Sequence, residues 1–256
     1  MPEGDTVFRA CRRLHEALAG EELVRGELRH PRLAEVPLRG RVVREVRPVG
    51  KHLLLRFTDD RTLHSHLGMD GAWHLYPPGA RWRRPAHRAR AVLEVPQLSA
   101  VGFELRQLHW IRTADEAELV GHLGPDLLDP GWDEARHAEA VRRLTADPGR
   151  EIGAALLDQS SLAGVGNIYR TELCFLLRCS PRTPVGEVDA DRAVRLAHDL
   201  LLRGTRQQQR STTGDLRRGV RYWVYGRRSC LRCGGPVHRE APDAERVSYH
   251  CPRCQP

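Results

Sequence analysis

The sequence predicts an α+β protein of several domains: a β-rich N-terminal domain led by one helix, a helical middle, and a small metal-binding ribbon at the end. Three observations predict it. Short β-type runs broken by Gly, Pro and Asp fill residues 22–112. Apolar residues at helical spacing follow from about residue 121 onward. Four of the seven cysteines crowd the last 27 residues as two Cys-x2-Cys pairs. The boundaries read as 1–115, 116–225 and 226–256.

The leading element is a helix from Asp5 to Gly20. Asp5 or Thr6 caps it, Val7, Cys11, Leu14 and Leu18 line one face, and Gly20 ends it. The β-type runs are Val42–Val46, His52–Phe57, Thr62–Leu67, Ala89–Val95 and Val101–Leu105, a spacing that fits a sandwich or a barrel. The arginine-rich run Arg81–Arg90 interrupts them and reads as a solvated loop. Further helices are expected over 133–145, 151–158, 167–178 and 189–203. In the third of these, Tyr169, Leu173, Leu176 and Leu177 recur as a buried stripe.

Composition narrows the function. A 40% hydrophobic content supports a core, and no run of about 18 apolar residues exists to cross a membrane. The N-terminus lacks the apolar stretch of a secretion signal, so a soluble cytoplasmic protein of bacterial type is expected. Lys and Arg exceed Asp and Glu by 8, which points to a polyanionic partner. Nearly all of that charge is arginine, and Lys51 is the only lysine. Arginine suits forked phosphate contacts, whereas a lysine can lose its proton and do chemistry. A genomic bias toward arginine also produces a lone lysine, and both readings of Lys51 stay open.

The pairs Cys230/Cys233 and Cys251/Cys254 flank 17 residues. That spacing fits an all-cysteine tetrahedral zinc site better than disulfides or an iron–sulfur centre. Sulfur fills all four positions, so such a zinc is structural. Gly164-Val165-Gly166-Asn167 lies between two helical patterns. On local sequence Asn167 fits an ordinary helix N-cap first, and a phosphate contact at exposed helix-start amides second.

The chain opens Met1-Pro2-Glu3-Gly4-Asp5-Thr6. Removal of Met1 would leave a secondary amine beside a carboxylate. This start, Lys51 in VGKHLL, Asn167 in LLDQSSLAGVGNIY, and a cysteine ribbon preceded by VYGRR occur in one order over nearly the whole chain. The ordered set resembles the formamidopyrimidine-DNA glycosylase and endonuclease VIII family, and PEG at the start places it nearer the endonuclease VIII branch. The resemblance implies a β-sandwich, a helix–two-turn–helix domain and a zinc finger, with damaged duplex DNA held in a cleft by a monomer. It implies that Pro2 attacks C1′ of the damaged nucleotide, that Glu3 protonates the deoxyribose as its ring opens, and that Lys51 contacts phosphate and assists. It implies DNA contacts by Asn167 and by Arg246 in ERVSY, a Met69 side chain in HLGMDG that fills the space of the flipped base, and His122 near an arginine position of the endonuclease VIII branch.

The chemistry fits those roles. A glycosylase that also nicks the strand needs an amine, because only an iminium at C1′ acidifies the C2′ proton. A generic α-amine, pKa about 7.7–8.0, is roughly a few hundredfold more deprotonated at neutral pH than a lysine near 10.4. A carboxyl beside it acts as an acid only where burial disfavours its charged form. The sequence departs from the family in two places. Thr6 stands where both branches usually place glutamate, and AVGFELRQLHWIRT lacks the Arg-Phe-Gly loop of the guanine-directed branch. Oxidised pyrimidines are therefore the expected substrates and oxidised purines the alternative. A non-catalytic zinc-ribbon protein that binds DNA or RNA is the competing class.

Overall fold

A computed structural model describes residues 2–240 and 247–256, and the chain divides into two compact units, 1–122 and 123–256. The first unit begins with α1 (Gly4–Leu18) and continues through β1 (Arg25–Leu28), β2 (Val43–Val49), β3 (His52–Phe57), β4 (Arg61–His66), β5 (Ala72–Tyr76), β6 (Ala89–Val95), β7 (Leu98–Phe103) and β8 (Gln107–Arg112). The strands form two antiparallel four-stranded sheets, ordered β1-β6-β7-β5 and β2-β3-β4-β8. Leu53, Leu55 and Leu63 from one sheet and Ala91, Leu93 and Ala100 from the other share one buried core, which is a sandwich and not a closed barrel. Trp73 Nε1 crosses that core to donate to Ser65 Oγ at 3.2 Å.

Helix α1 starts one residue earlier than the sequence pattern indicates. Glu3 occupies the N-cap position, its carbonyl accepts from the Thr6 and Val7 amides at 2.9 and 3.1 Å, and neither Asp5 nor Thr6 caps the helix. Instead Asp5 is buried and pairs with Arg9 one turn on. The helix lies on β2 with its direction reversed: His15 Nδ1 accepts from the Val46 amide, and the Gly20 amide reaches the Val43 carbonyl. From His15 back to Gly4 the helix climbs about 16 Å, and β2 from Val46 to Gly50 extends about 13 Å. The N-terminus therefore reaches the end of the sandwich at which the β2–β3 turn lies.

Residues 81–90 are largely exposed, as expected of a solvated loop, but the segment is anchored to the sheet. Trp82 packs edge-on against Phe103 over the outer face of the β1-β6-β7-β5 sheet, and Ala86–Arg88 form a single 3-10 turn before β6 begins. An aromatic residue amid the arginines provides the apolar contact that a wholly charged run would lack.

The second unit contains α3 (Glu134–Leu144), α4 (Ile152–Ala155), α5 (Asn167–Leu177), α6 (Ala190–Arg206) and a hairpin of β9 (His238–Glu240) with β10 (Ser248–His250); the short α2 (Ala117–Val120) precedes it in the first unit. Asp133 and Asp189 cap α3 and α6 through their side chains, accepting from the Arg136 and Arg192 amides. Helix α5 is buried on nearly every side from Asn167 to Phe175, which is why its apolar stripe is broader than a single face. Among the described residues no helix is long and apolar enough to cross a membrane.

Candidate functional site

Strand register places the chemistry of the first unit. His52, at the start of β3, pairs with His66 at the end of β4, which pairs with Gln107 at the start of β8; Ala72 of β5 pairs with Phe103 of β7. The β2–β3 turn, the β4–β5 turn and the 104–106 connection thus share one end of the sandwich. Lys51 sits in the first of these, a two-residue turn in which Gly50 takes φ +57°. Met69 tips the second and is 61% exposed, rare for so large an apolar side chain. Pro2 and Glu3 arrive at the same end with α1. Glu3 is fully buried, and its side chain does not cap the helix it begins.

The Met69 turn is held rigidly from three sides. Gly71 donates to the Leu67 carbonyl at 2.9 Å, and a Cβ on Gly71 would stand only 2.2 Å from that oxygen. His66 Nδ1 accepts from the Gly68 amide at 3.1 Å. Arg84 Nη1 donates both to the Asp70 carbonyl, at 2.8 Å, and to Glu104 Oε2, at 2.7 Å, while Arg88 pairs with the other carboxylate oxygen. Glu104 adopts a left-handed φ of +50°, which costs a non-glycine residue about 1 kcal/mol. The arginine-rich run thus fastens an exposed apolar tip. No local pattern in the sequence announces this, because Arg84, Glu104 and Asp70 are brought together only by the sheet.

His52, His64 and His109 line one side of the β3-β4-β8 sheet, with His66 and the exposed His122 beside His52. Burial, together with His66, His122, Lys51 and His109 as potential cations, lowers His52 to about 4. Burial and its histidine neighbours lower His64 to about 3.

In the second unit, the two turns between α4 and α5 are stitched by side chains. Gln159 Nε2 donates to the Leu157 and Val165 carbonyls, and its Oε1 accepts from the Gly164 amide. The turn ends at Gly166, which takes the cap position expected for Asn167. Asn167 is the first helical residue, and its Nδ2 donates to the Val247 carbonyl at 2.9 Å. Arg170 binds the Asn167 amide oxygen and Ser248 Oγ, so this pair secures the strand that follows residue 246. Arg246 lies outside the described residues. Glu172 is the polar centre of the unit. Its carboxylate accepts from the Trp223, Val224 and Tyr225 amides at 2.8–3.0 Å and from the Thr212 hydroxyl. Burial pushes its carboxyl up, and these four donors oppose the shift.

The four cysteine sulfurs lie within 4.8 Å of one another, with Cys230–Cys254 at 3.9 Å and Cys233–Cys251 at 3.5 Å. A tetrahedron with metal–sulfur bonds of about 2.3 Å has edges of about 3.8 Å. The donor set therefore fits one zinc-sized ion with no open position. The Gly235 amide points at Cys233 Sγ, lowering that thiol to about 7 and favouring the thiolate a metal needs.

The formamidopyrimidine-DNA glycosylase N-terminal domain model matches residues 1–115, and the helix–two-turn–helix domain model of the same glycosylase matches residues 123–213. The chain belongs to this DNA glycosylase family. Within it, the similarity runs to the endonuclease VIII branch. The chain is 52% identical to a protein named probable endonuclease 8 2 from Streptomyces coelicolor, over all of this chain and 94% of that one. It is 46% identical to endonuclease 8 2 of Mycobacterium tuberculosis over the full length of both. It is 43% identical to the DNA-(apurinic or apyrimidinic site) lyase Nei2 of Mycolicibacterium smegmatis, over all of this chain and 99% of that protein. The fold matches that of Lactococcus lactis formamidopyrimidine-DNA glycosylase bound non-covalently to DNA containing an abasic site, with TM-score 0.79 at 24% identity over 99% of both chains.

Proposed function

We propose that this chain is a bifunctional DNA glycosylase and abasic-site lyase that removes oxidised bases, pyrimidines before purines, through a Schiff base on Pro2. One observation carries the reading: the N-terminal Pro2-Glu3 pair reaches the same end of the sandwich as the lone lysine and the exposed Met69. The relatives named endonuclease 8 and abasic-site lyase support it.

In this scheme loss of Met1 frees the Pro2 amine. Its lone pair forms a bond to C1′ as the base departs with the glycosidic electrons. Glu3 gives its proton to the ring oxygen, the sugar opens, and an iminium forms. Loss of the C2′ proton then expels the 3′ phosphate. Met69 fills the gap of the extruded base, offsetting part of the few kcal/mol that unstacking costs. Lys51, Asn167 and Arg246 hold phosphates, and His122 adds a contact near them. Cys230, Cys233, Cys251 and Cys254 hold a structural zinc, which orders the ribbon and supplies no reaction step. Duplex DNA, a monomeric enzyme and a cytoplasmic location complete the proposal.

The test is covalent capture. Intact mass must show a chain that begins at Pro2. Borohydride with a thymine glycol or abasic duplex must trap a protein–DNA adduct, and Pro2→Gly must weaken it. A protein with a free Pro2 that traps neither duplex is a binder and not this enzyme. Oxidised purines are the second reading, favoured by 34% identity to the formamidopyrimidine-DNA glycosylase of Salinispora arenicola. Faster turnover of a formamidopyrimidine duplex than of a thymine glycol duplex would establish it.

A further inference from the structure

Three imidazoles touch in series across β3, β4 and β8. His52 Nδ1 lies 2.8 Å from His64 Nε2, and His64 Nδ1 lies 3.0 Å from His109 Nδ1. Register explains the row: His64 pairs directly with His109, and on its other side with Leu54, two residues from His52 on the same face. His64 has no exposed surface. A contact between two ring nitrogens needs one N–H and one lone pair, and a neutral imidazole has one of each. His64 spends both, donating to one neighbour and accepting from the other, so all three rings are fixed in orientation and tautomer together.

The row ends one residue from Lys51. His52 is the residue that closes the two-residue turn, paired across it with Val49. We infer that His64 is a positioning residue for Lys51: by locking the His52 ring it fixes the turn that presents the ammonium to a DNA phosphate. This rests on the reading of Lys51 as a phosphate contact.

The choice of side chain has a physical reason. A carboxylate at position 52 would attract the ammonium of the preceding residue, and a cation there would repel it. An uncharged imidazole does neither. Burial first, and then the surrounding cations, hold His52 and His64 below their ordinary pKa. Burial is the largest cause for His52, His64 and His66; besides the histidines themselves, Lys51 acts on His52 and His66, Arg106 on His66, and His122 on His52, each opposing protonation. Rings that stay neutral below their ordinary pKa keep the His52–His64 contact intact in mildly acid solution.

The experiment is a double-mutant cycle on the full-length protein, read as the salt dependence of binding to a duplex with a tetrahydrofuran abasic analogue. Lys51→Ala should lower the slope of log affinity against log salt by about 0.9, one phosphate contact. His64→Phe, which keeps the ring and removes both nitrogens, should lower the slope in the same direction, and should lower it no further in the Lys51→Ala background. Equal losses in both backgrounds, or an unchanged slope in His64→Phe, overturn the inference and leave the Lys51 reading standing. An unchanged slope in Lys51→Ala sinks that reading and the inference with it. Should His64→Phe fail to fold, His109→Phe breaks the row at its less buried end and is held to the same outcomes. Nitrogen NMR of the wild-type protein is independent of any variant. At pH 5.5 His64 should show one protonated and one bare ring nitrogen, and a cationic ring would overturn the inference.

Discussion

Among the described residues each unit fully buries one glutamate, Glu3 in the first and Glu172 in the second, and the two sit differently in their helices. Glu172 is surrounded by four hydrogen-bond donors that tie α5 to the Trp223–Tyr225 segment. Glu3 takes the N-cap position of α1, where its backbone carbonyl and not its side chain makes the cap. A carboxylate saturated with donors is a fastener, because moving a proton there would strand buried amides. In the proposed reaction Glu3, next to Pro2 and not spent on capping its own helix, is the proton donor. Burial alone does not distinguish the two.

The strongest way to break this contrast is to neutralise each glutamate. Glu3→Gln should reduce turnover of a thymine glycol duplex by about a hundredfold or more, the scale of a lost general acid, with the thermal midpoint nearly unchanged. Glu172→Gln should do the reverse. It replaces one acceptor oxygen by an NH2 that faces two of the four donors and should cost about 1–3 kcal/mol in urea unfolding, with turnover per folded molecule retained. If Glu3→Gln lost stability and kept activity, the assignment of roles would be inverted.

The histidine row gives a pH signature to the first unit. His52 and His64 are lowered to about 4 and about 3, so below pH 6.5 the unfolded chain takes up protons that the folded one refuses. Their contribution to stability is complete above pH 6.5 and falls away as pH drops through 4 toward 3. The difference in unfolding free energy between wild type and His64→Phe should therefore be flat above pH 6.5 and change steadily below it. A difference with no pH dependence between 6.5 and 4 would mean that His64 is charged or exposed.

The smallest effect sharpens the picture of the Met69 turn. Arg84→Ala removes the clasp on Asp70 and Glu104. It should slow base extrusion, read as 2-aminopurine fluorescence beside the lesion, by about threefold to tenfold, and Arg84→Lys should restore part of it. In a Met69→Ala background the Arg84 substitution should have no further effect.

Much of the fold could be read from the chain because it rests on local periodicity. The α1 face of Val7, Cys11, Leu14 and Leu18 is buried as the spacing implied, and the helices from α3 to α6 lie close to the predicted ranges. Strands β1, β5 and β8 were not anticipated. β1 is only four residues long, and β5 and β8 mix aromatic and polar residues whose alternation is weak until partners are known. The caps at Glu3 and Gly166 differ from the expected Asp5 or Thr6 and Asn167, because backbone geometry set the helix starts and left those side chains for other bonds.

By itself the sequence determined the ordered motifs, the basic charge, the paired cysteines and the residue types that chemistry requires, since each of these is a property of neighbours along the chain. Only the tertiary structure decided which of these meet. Arg84 finds Glu104 and Asp70, His64 finds His52 and His109, and Glu172 finds three amides some fifty residues away. Such contacts depend on strand register and helix direction. A one-residue change of register would turn His52, His64 and His109 to the opposite face of their strands, and no local pattern records that choice.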